Sequence, residues 1–245
     1  MIYVTGDTHR ARDIAKLRAR SWTEGRALTR DDYVVVCGDF GAIWGERDLD
    51  DGGGALLRWW ESRPWTTLFV DGNHENHDLI DRLRVEERFG TPVHVAPGCP
   101  HVIHLMRGCV YDLPLSGSGT ARCLAMGGAR STDRMWRVEG ESWWAREMPS
   151  DEEYDRCTAS LEAVGWKVDY VLTHELPADL RIGALDWRSY AELANSADPL
   201  SNYLQWVYDT LDKDALRMWY AGHYHVDREV GDKCRVLFND VVPLA

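Results

Sequence analysis

Five short apolar runs in this chain each lead directly into side chains of the kinds that bind metal ions, and that arrangement narrows the folds open to it. The runs are Ile2–Val4, Tyr33–Cys37, Thr67–Val70, Tyr170–Leu172 and Met218–Ala221. They are followed by Gly6-Asp7-Thr8-His9, Gly38-Asp39, Gly72-Asn73-His74-Glu75, Thr173-His174 and Gly222-His223-Tyr224-His225. Runs of this length, rich in β-branched and aromatic residues, predict buried strands. Polar residues just past such strand ends lie where an α/β sheet presents its functional loops. Glycines before Asp7, Asp39, Asn73 and His223 let the backbone turn sharply and approach an ion closely.

Carboxylates, neutral imidazoles and an amide oxygen form a mixed oxygen and nitrogen donor set that suits Mn, Fe or Zn and matches Ca poorly. We read the five segments as one dinuclear metal site. One carboxylate can bridge two cations, and two cations can bind the attacking and leaving oxygens of an in-line displacement at phosphorus. Any single segment has a plainer explanation, since Asp7 and Asp39 are good turn or helix-capping residues. Turn formation explains neither the accompanying histidines nor their order.

The pattern resembles the calcineurin-like metallophosphoesterases: Asp-x-His, Gly-Asp, Gly-Asn-His-Asp/Glu, a lone His, then Gly-His-x-His, spread from Asp7 to His225. The resemblance implies that Asp7, His9 and His225 bind one metal, that Asn73, His174 and His223 bind the other, and that Asp39 bridges them. His74 matches a histidine that is not a ligand but assists the phosphoryl group or protonates the leaving oxygen. The implied nucleophile is a metal-bound water or hydroxide. The implied fold is a four-layer αββα sandwich of two mixed β-sheets flanked by helices. Two metal ions, Mn first with Fe or Zn as alternatives, are the implied cofactors.

Departures from the family pattern bear on substrate. Arg10 stands where many relatives have Gly, so a cation lies at the mouth of the site or, alternatively, is solvated at a helix start. Gly38-Asp39-Phe40-Gly41 lacks the Asp-Arg-Gly continuation of the Ser/Thr protein phosphatases, which disfavours that activity. Glu75 is expected either to orient His74 or to be an exposed loop acid, and His77 to lie on a helix surface. Between Gly127 and Trp144, Arg130, Arg134, Arg137, Trp136, Trp143 and Trp144 cluster with weak periodicity. They suit either a phosphate clamp with Arg130 as its leading residue, or a surface loop packed by its own aromatics. Gly127-Gly128-Ala129 and Ser142-Trp143-Trp144 resemble phage and bacterial family members.

Because the ligands come from both ends of the chain, we expect residues 1–245 to form one domain. A net charge of −12 repels polyanions, so a small phosphorylated or nucleotide-like substrate is expected and extended duplex nucleic acid is not. Six scattered cysteines without Cys-x-x-Cys spacing, and a strand starting at residue 2, lead us to expect buried thiols and a cytoplasmic location. No apolar run approaches the roughly 20 residues of a membrane helix, so no membrane partner is expected. The competing function is a non-catalytic metal-bearing scaffold.

Further elements are legible. Helices are expected over Ala11–Arg20, Ala55–Ser62 after a break at Gly52-Gly53-Gly54, Asp78–Arg84, Asp151–Val164 behind a Ser150/Glu153 capping box, and Pro199–Leu211. Short β-pieces at Val93–Val95, Val102–His104, Cys109–Tyr111 and Cys123–Met126 suggest hairpins of a second sheet, with His94, His101 and His104 in surface or interstrand roles. Arg235–Phe238 reads as the last strand.

Overall fold

The computed structural model describes residues 1–50, 53–117, 119–185 and 198–244; Gly52 of the expected glycine break lies outside them. Thirteen strands run in chain order among the described residues. They are β1 (Ile2–Thr5), β2 (Tyr33–Cys37), β3 (Thr66–Val70), β4 (Arg84–Arg88), β5 (Thr91–Ala96), β6 (Cys99–Leu105) and β7 (Cys109–Pro114). There follow β8 (Thr120–Met126), β9 (Tyr170–Thr173), β10 (Met218–Ala221), β11 (Arg228–Val230), β12 (Cys234–Val236) and β13 (Val241–Pro243). One sheet has the order β13-β1-β2-β3-β6-β5-β4 and the other β11-β12-β10-β9-β8-β7. In each, four central strands are parallel (β1, β2, β3 and β6; β8, β9, β10 and β12) and antiparallel strands finish the edges.

Side-chain alternation along the strands builds the layers. In β2, Val35 and Cys37 join a central core with Val4, Leu68 and Ile103 from the first sheet and Cys123, Ala125, Leu172 and Tyr220 from the second. Val34 and Val36 point the other way, against Ile14, Leu17, Leu57 and Trp60. Across the second sheet, Val171 and Trp219 pack on Cys157, Leu161, Leu204 and Val207. The covering helices are α1 (Ala55–Glu61), α2 (His77–Ile80), α3 (Asp151–Ala163), α4 (Arg181–Ala184) and α5 (Pro199–Thr210). The four-layer αββα sandwich that the family resemblance implied is therefore present. All six cysteines are free and buried, and no helix among the described residues is long and apolar enough to cross a membrane.

Several local expectations are corrected. Ala11–Arg20 forms no α-helix, only a 3₁₀ turn over Ile14–Leu17, because His9 and Arg10 take positive φ and Asp13 is tied back to His9. The helix expected over Asp78–Arg84 stops at Ile80, since Arg84 opens a strand that pairs with β5 across a Phe89-Gly90 turn. Pairing in a sheet here overrides helix propensity. The four β-pieces divide: β5 and β6 extend the first sheet, while β7 and β8 belong to the second. The strand read at Arg235–Phe238 is β12, and it is not the last, because the chain goes on to lay β13 beside β1. His77 is 4% exposed and not on a surface.

Candidate metal centre

Asp7, Asp39, Asn73, His174 and His223 follow β1, β2, β3, β9 and β10, all parallel strands, so the two sheets bring their functional ends together. The backbone there is strained. Of seven non-glycine residues with positive φ among the described residues, five are His9, Arg10, Asp39, His223 and His225. Each such conformation costs on the order of 1–3 kcal/mol and clusters at functional sites. Gly72 is needed because a Cβ there would lie 2.2 Å from Asp39 Oδ1.

Asp39 is 1% exposed and central. Its Oδ2 lies 3.1 Å from His9 Nε2 and 3.9 Å from His74 Nε2. Its Oδ1 lies 3.2 Å from His174 Nε2 and accepts from the His74 amide at 2.8 Å. The second buried carboxylate, Asp7, has Oδ2 3.0 Å from His225 Nε2 and 3.8 Å from His9 Nε2, and Oδ1 accepts from the His223 amide at 2.9 Å. Asn73 donates through Nδ2 to Ser131 Oγ at 3.1 Å, leaving its Oδ1 3.2 Å from His174 Nε2. His223 packs on His174 with ring centroids 5.0 Å apart. Three overlapping groups, Asp7/His9/His225, His9/Asp39/His74 and Asp7/Asp39/His174, each hold their donor atoms within 4.8 Å of one another.

These residues fit divalent cations. Neighbouring ligands around a cation with bonds of about 2.1 Å stand roughly 3.0–3.4 Å apart, as His9 and His174 Nε2 do from Asp39 and His225 Nε2 does from Asp7, while His9 and Asp7 stand 3.8 Å apart. Asp7 Oδ2 is fully buried without a hydrogen bond. His9 Nδ1 is tied to Asp13 Oδ2 at 2.8 Å and His174 Nδ1 donates to the Cys37 carbonyl at 2.8 Å, so each presents Nε2 to the carboxylates. An imidazole held through one nitrogen by a carboxylate or carbonyl, with the other turned to the shared donor oxygens, is the usual arrangement of a ligating histidine. Electrostatics agree. Burial would raise both acids, yet His174 and its neighbours hold Asp39 well below the usual carboxylate range and Asp7 below it. Against its own burial, His174 is pushed up to about 10 by Asp39 and Asp7. A pair of buried carboxylates thus calls for positive charge between them.

A surrounding shell was read only in part from the sequence. Glu75 is fully buried and accepts from the Phe40 and Gly41 amides at 2.7 and 2.9 Å, so it braces the Asp39 loop; it neither orients His74 nor faces solvent. Glu175 is buried 3.9 Å from His223 Nε2 and accepts from Tyr224. Asp71, just before Gly72, accepts from Arg107 Nε at 2.9 Å and lies 3.0 Å from His104 Nε2, whose Nδ1 is 3.1 Å from His94 Nδ1. His94 and His104 therefore have the interstrand role expected of them, but buried. The only signal for Asp13, Glu175 and Asp71 was an acid within a few residues of a presumed ligand.

A cleft of about 560 Å³ opens over the centre, with His9, His74, Arg10, Arg12, Arg137 and Trp44 on its walls. Arg10 lies at the mouth. Arg130 is half-buried and not among the lining residues; from its segment the structure brings Arg137 instead, with Nη2 3.3 Å from His74 Nε2. Trp144 packs under the cleft wall against Trp44, while Trp136 is 83% exposed. Burial, aided by Arg137, lowers the His74 pKa despite Asp39 nearby.

No curated protein matches the chain significantly. The calcineurin-like phosphoesterase family model matches residues 1–227, and the chain, with its two-sheet fold and candidate metal-binding groups, belongs to that family.

Proposed function

We propose that this chain is a phosphoric ester hydrolase that works with two divalent cations on small phosphorylated or nucleotide-like esters. The carrying observation is the convergence of three imidazole Nε2 atoms, from His9, His74 and His174, on the two oxygens of Asp39 within 3.9 Å. Asp7, His9 and His225 would hold one cation and Asn73, His174 and His223 the other, with Asp39 shared. Mn, Fe and Zn all suit this donor set. When bound, such cations acidify water and offset the charge of phosphoryl oxygens.

The chain's own residues do the rest. His74 Nε2 opens to the cleft beside the leaving oxygen; protonated there, it would pass its proton to that oxygen, and burial, which lowers its pKa, makes the protonated ring a stronger acid but the minor form at neutral pH. Arg137, held by Asp133 Oδ2 at 2.7 Å and the Ser142 carbonyl at 3.1 Å, aims its guanidinium at the same point, where it can bind phosphoryl oxygens. Strained loops and buried carboxylate braces fix these groups before substrate arrives. Residues 1–245 acting as one domain, and a reducing, cytoplasmic setting supported by six free buried thiols, complete the proposal.

The test is hydrolysis of p-nitrophenyl phosphate and its bis ester by Mn-loaded protein, beside Asp39→Asn. We expect turnover in the parent, and joint loss of metal and turnover in the variant. Metal-loaded parent protein that hydrolyses neither ester nor a panel of nucleotides and phosphopeptides would support the scaffold alternative. A marked preference for phosphopeptides would restore the protein phosphatase.

A further inference from the structure

The cleft carries more positive charge than one reacting phosphate needs. Of its acids, Asp133 is committed to Arg137 and Asp13 to His9. Among the described residues neither Arg10 nor Arg12 forms an ion pair, although the chain as a whole carries −12. An uncompensated pair of arginines at one mouth of so acidic a protein attracts anions locally.

Arg10 is also held in place. Its guanidinium carbon lies 5.4 Å from the Trp44 ring centroid. Trp44 is fixed edge-on to Trp144 at 5.5 Å, and Trp144 Nε1 donates to Asp78 at 3.0 Å. The backbone of Arg10 sits at φ 63°, where glycine would relieve about 1–2 kcal/mol. Gly41 clears room for the side chain, since a Cβ there would stand 2.8 Å from Arg10 Cγ. Strain retained for an arginine at a site mouth argues for work done by its charge.

We propose that the cleft takes phosphate compounds bearing a second phosphate on a short tether, with Arg10 and Arg12 holding the second group while the first lies at His74 and Arg137. This rests on the hydrolase reading for the placement of the first phosphate. A cleft of about 560 Å³ is in the range of small-molecule sites and accommodates such a ligand. Nucleoside polyphosphates and non-nucleotide bisphosphates share this chemistry.

The experiment is calorimetric titration of the Mn-loaded full chain with methylphosphonate, methylenediphosphonate and α,β-methylene-ADP, none of which has a P–O–P bridge to hydrolyse. We expect methylenediphosphonate to bind at least tenfold more tightly than methylphosphonate. In Arg10→Gln/Arg12→Gln that ratio should fall below threefold. Arg10→Gly, which relieves the strained backbone, should lose part of the preference while its unfolding midpoint stays level or rises, separating loss of charge from loss of fold. A preference unchanged in these variants, or absent from the parent protein, overturns the proposal. Tighter binding of α,β-methylene-ADP than of methylenediphosphonate identifies the nucleotide class, and equal binding the non-nucleotide one. Separately, a parent protein that shows the preference but hydrolyses no ester refutes the hydrolase and leaves the doubly phosphorylated ligand standing.

Discussion

Replacing Arg107 with Met should destabilise the protein by about 3–5 kcal/mol, the range found when a buried ion pair loses one partner. Asp71 and Arg107 expose only 2% and 5% of their side chains. Arg107 donates to Asp71 Oδ2 through both Nε and Nη2, and also reaches Glu153 Oε2 at 3.2 Å and the Arg146 carbonyl at 3.0 Å. Met fills much the same volume, so the loss is electrostatic: a fully buried carboxylate keeps only His104 as a close donor. Asp71→Asn in the Arg107→Met background removes that stranded charge, so the double-mutant cycle should show coupling of roughly 2 kcal/mol or more. Urea unfolding at pH 7 measures each corner through its midpoint at constant slope. The Asp71 carboxyl is held well below its ordinary value despite its burial, chiefly by Arg107. A depressed acid stabilises above its unfolded pKa, so this contribution should persist at neutral pH and be lost only as pH falls below about 4. Because Asp71 precedes Gly72 and Asn73, Mn affinity should fall in the same variant. A cost under about 1 kcal/mol, or strict additivity, would refute the account of this pair.

Three other perturbations probe different layers. Asp13→Ala frees His9 Nδ1 and should weaken Mn binding roughly 10- to 100-fold in chelator competition, the usual loss on removing a carboxylate behind a ligating histidine; unchanged affinity would show that His9 needs no such support. His74→Ala should retain its metal by elemental analysis while turnover of p-nitrophenyl phosphate drops about 10²-fold or more, and loss of one metal instead would make His74 a ligand. Burial and Arg107 push His77 down to about 3, so it stays neutral in the fold but takes up a proton on unfolding below its free value near 6.5. Stability therefore falls as pH drops from about 6.5 toward 3, and His77→Leu should spare about 2 kcal/mol of the loss between pH 7 and 5; equal pH slopes would contradict a neutral His77.

The family was legible because its motif signals are local, and the layer architecture followed from that resemblance rather than from the strand order. Tyr33–Asp39 contains in seven residues both the strand whose alternation sends Val35 and Val34 to opposite layers and the Gly38-Asp39 that follows it. The same holds for Thr66–Val70 with Gly72-Asn73-His74, and for Ser150 with Glu153, where a capping box starts α3 at Asp151. The helix read over Asp78–Arg84 overran the start of β4, and Val85–Arg88 went unassigned, because only pairing with Thr91–Ala96 makes this charged segment a strand.

What remained unreadable depends on contacts between residues far apart in the chain. Glu75 looks like any loop acid until the fold sets the Phe40 and Gly41 amides against it, 35 and 34 positions away. Arg107 meets Asp71 across 36 positions, and Arg137 reaches His74 across 63, while Arg130 of the same segment does not line the cleft. Composition and short-range pattern specify which side chains sit at strand ends, since backbone periodicity and turn chemistry act over a few residues. Which acid braces a ligand and which arginine faces the cleft is settled only when two sheets pack and their loops meet, because burial and charge pairing are properties of the assembled interior.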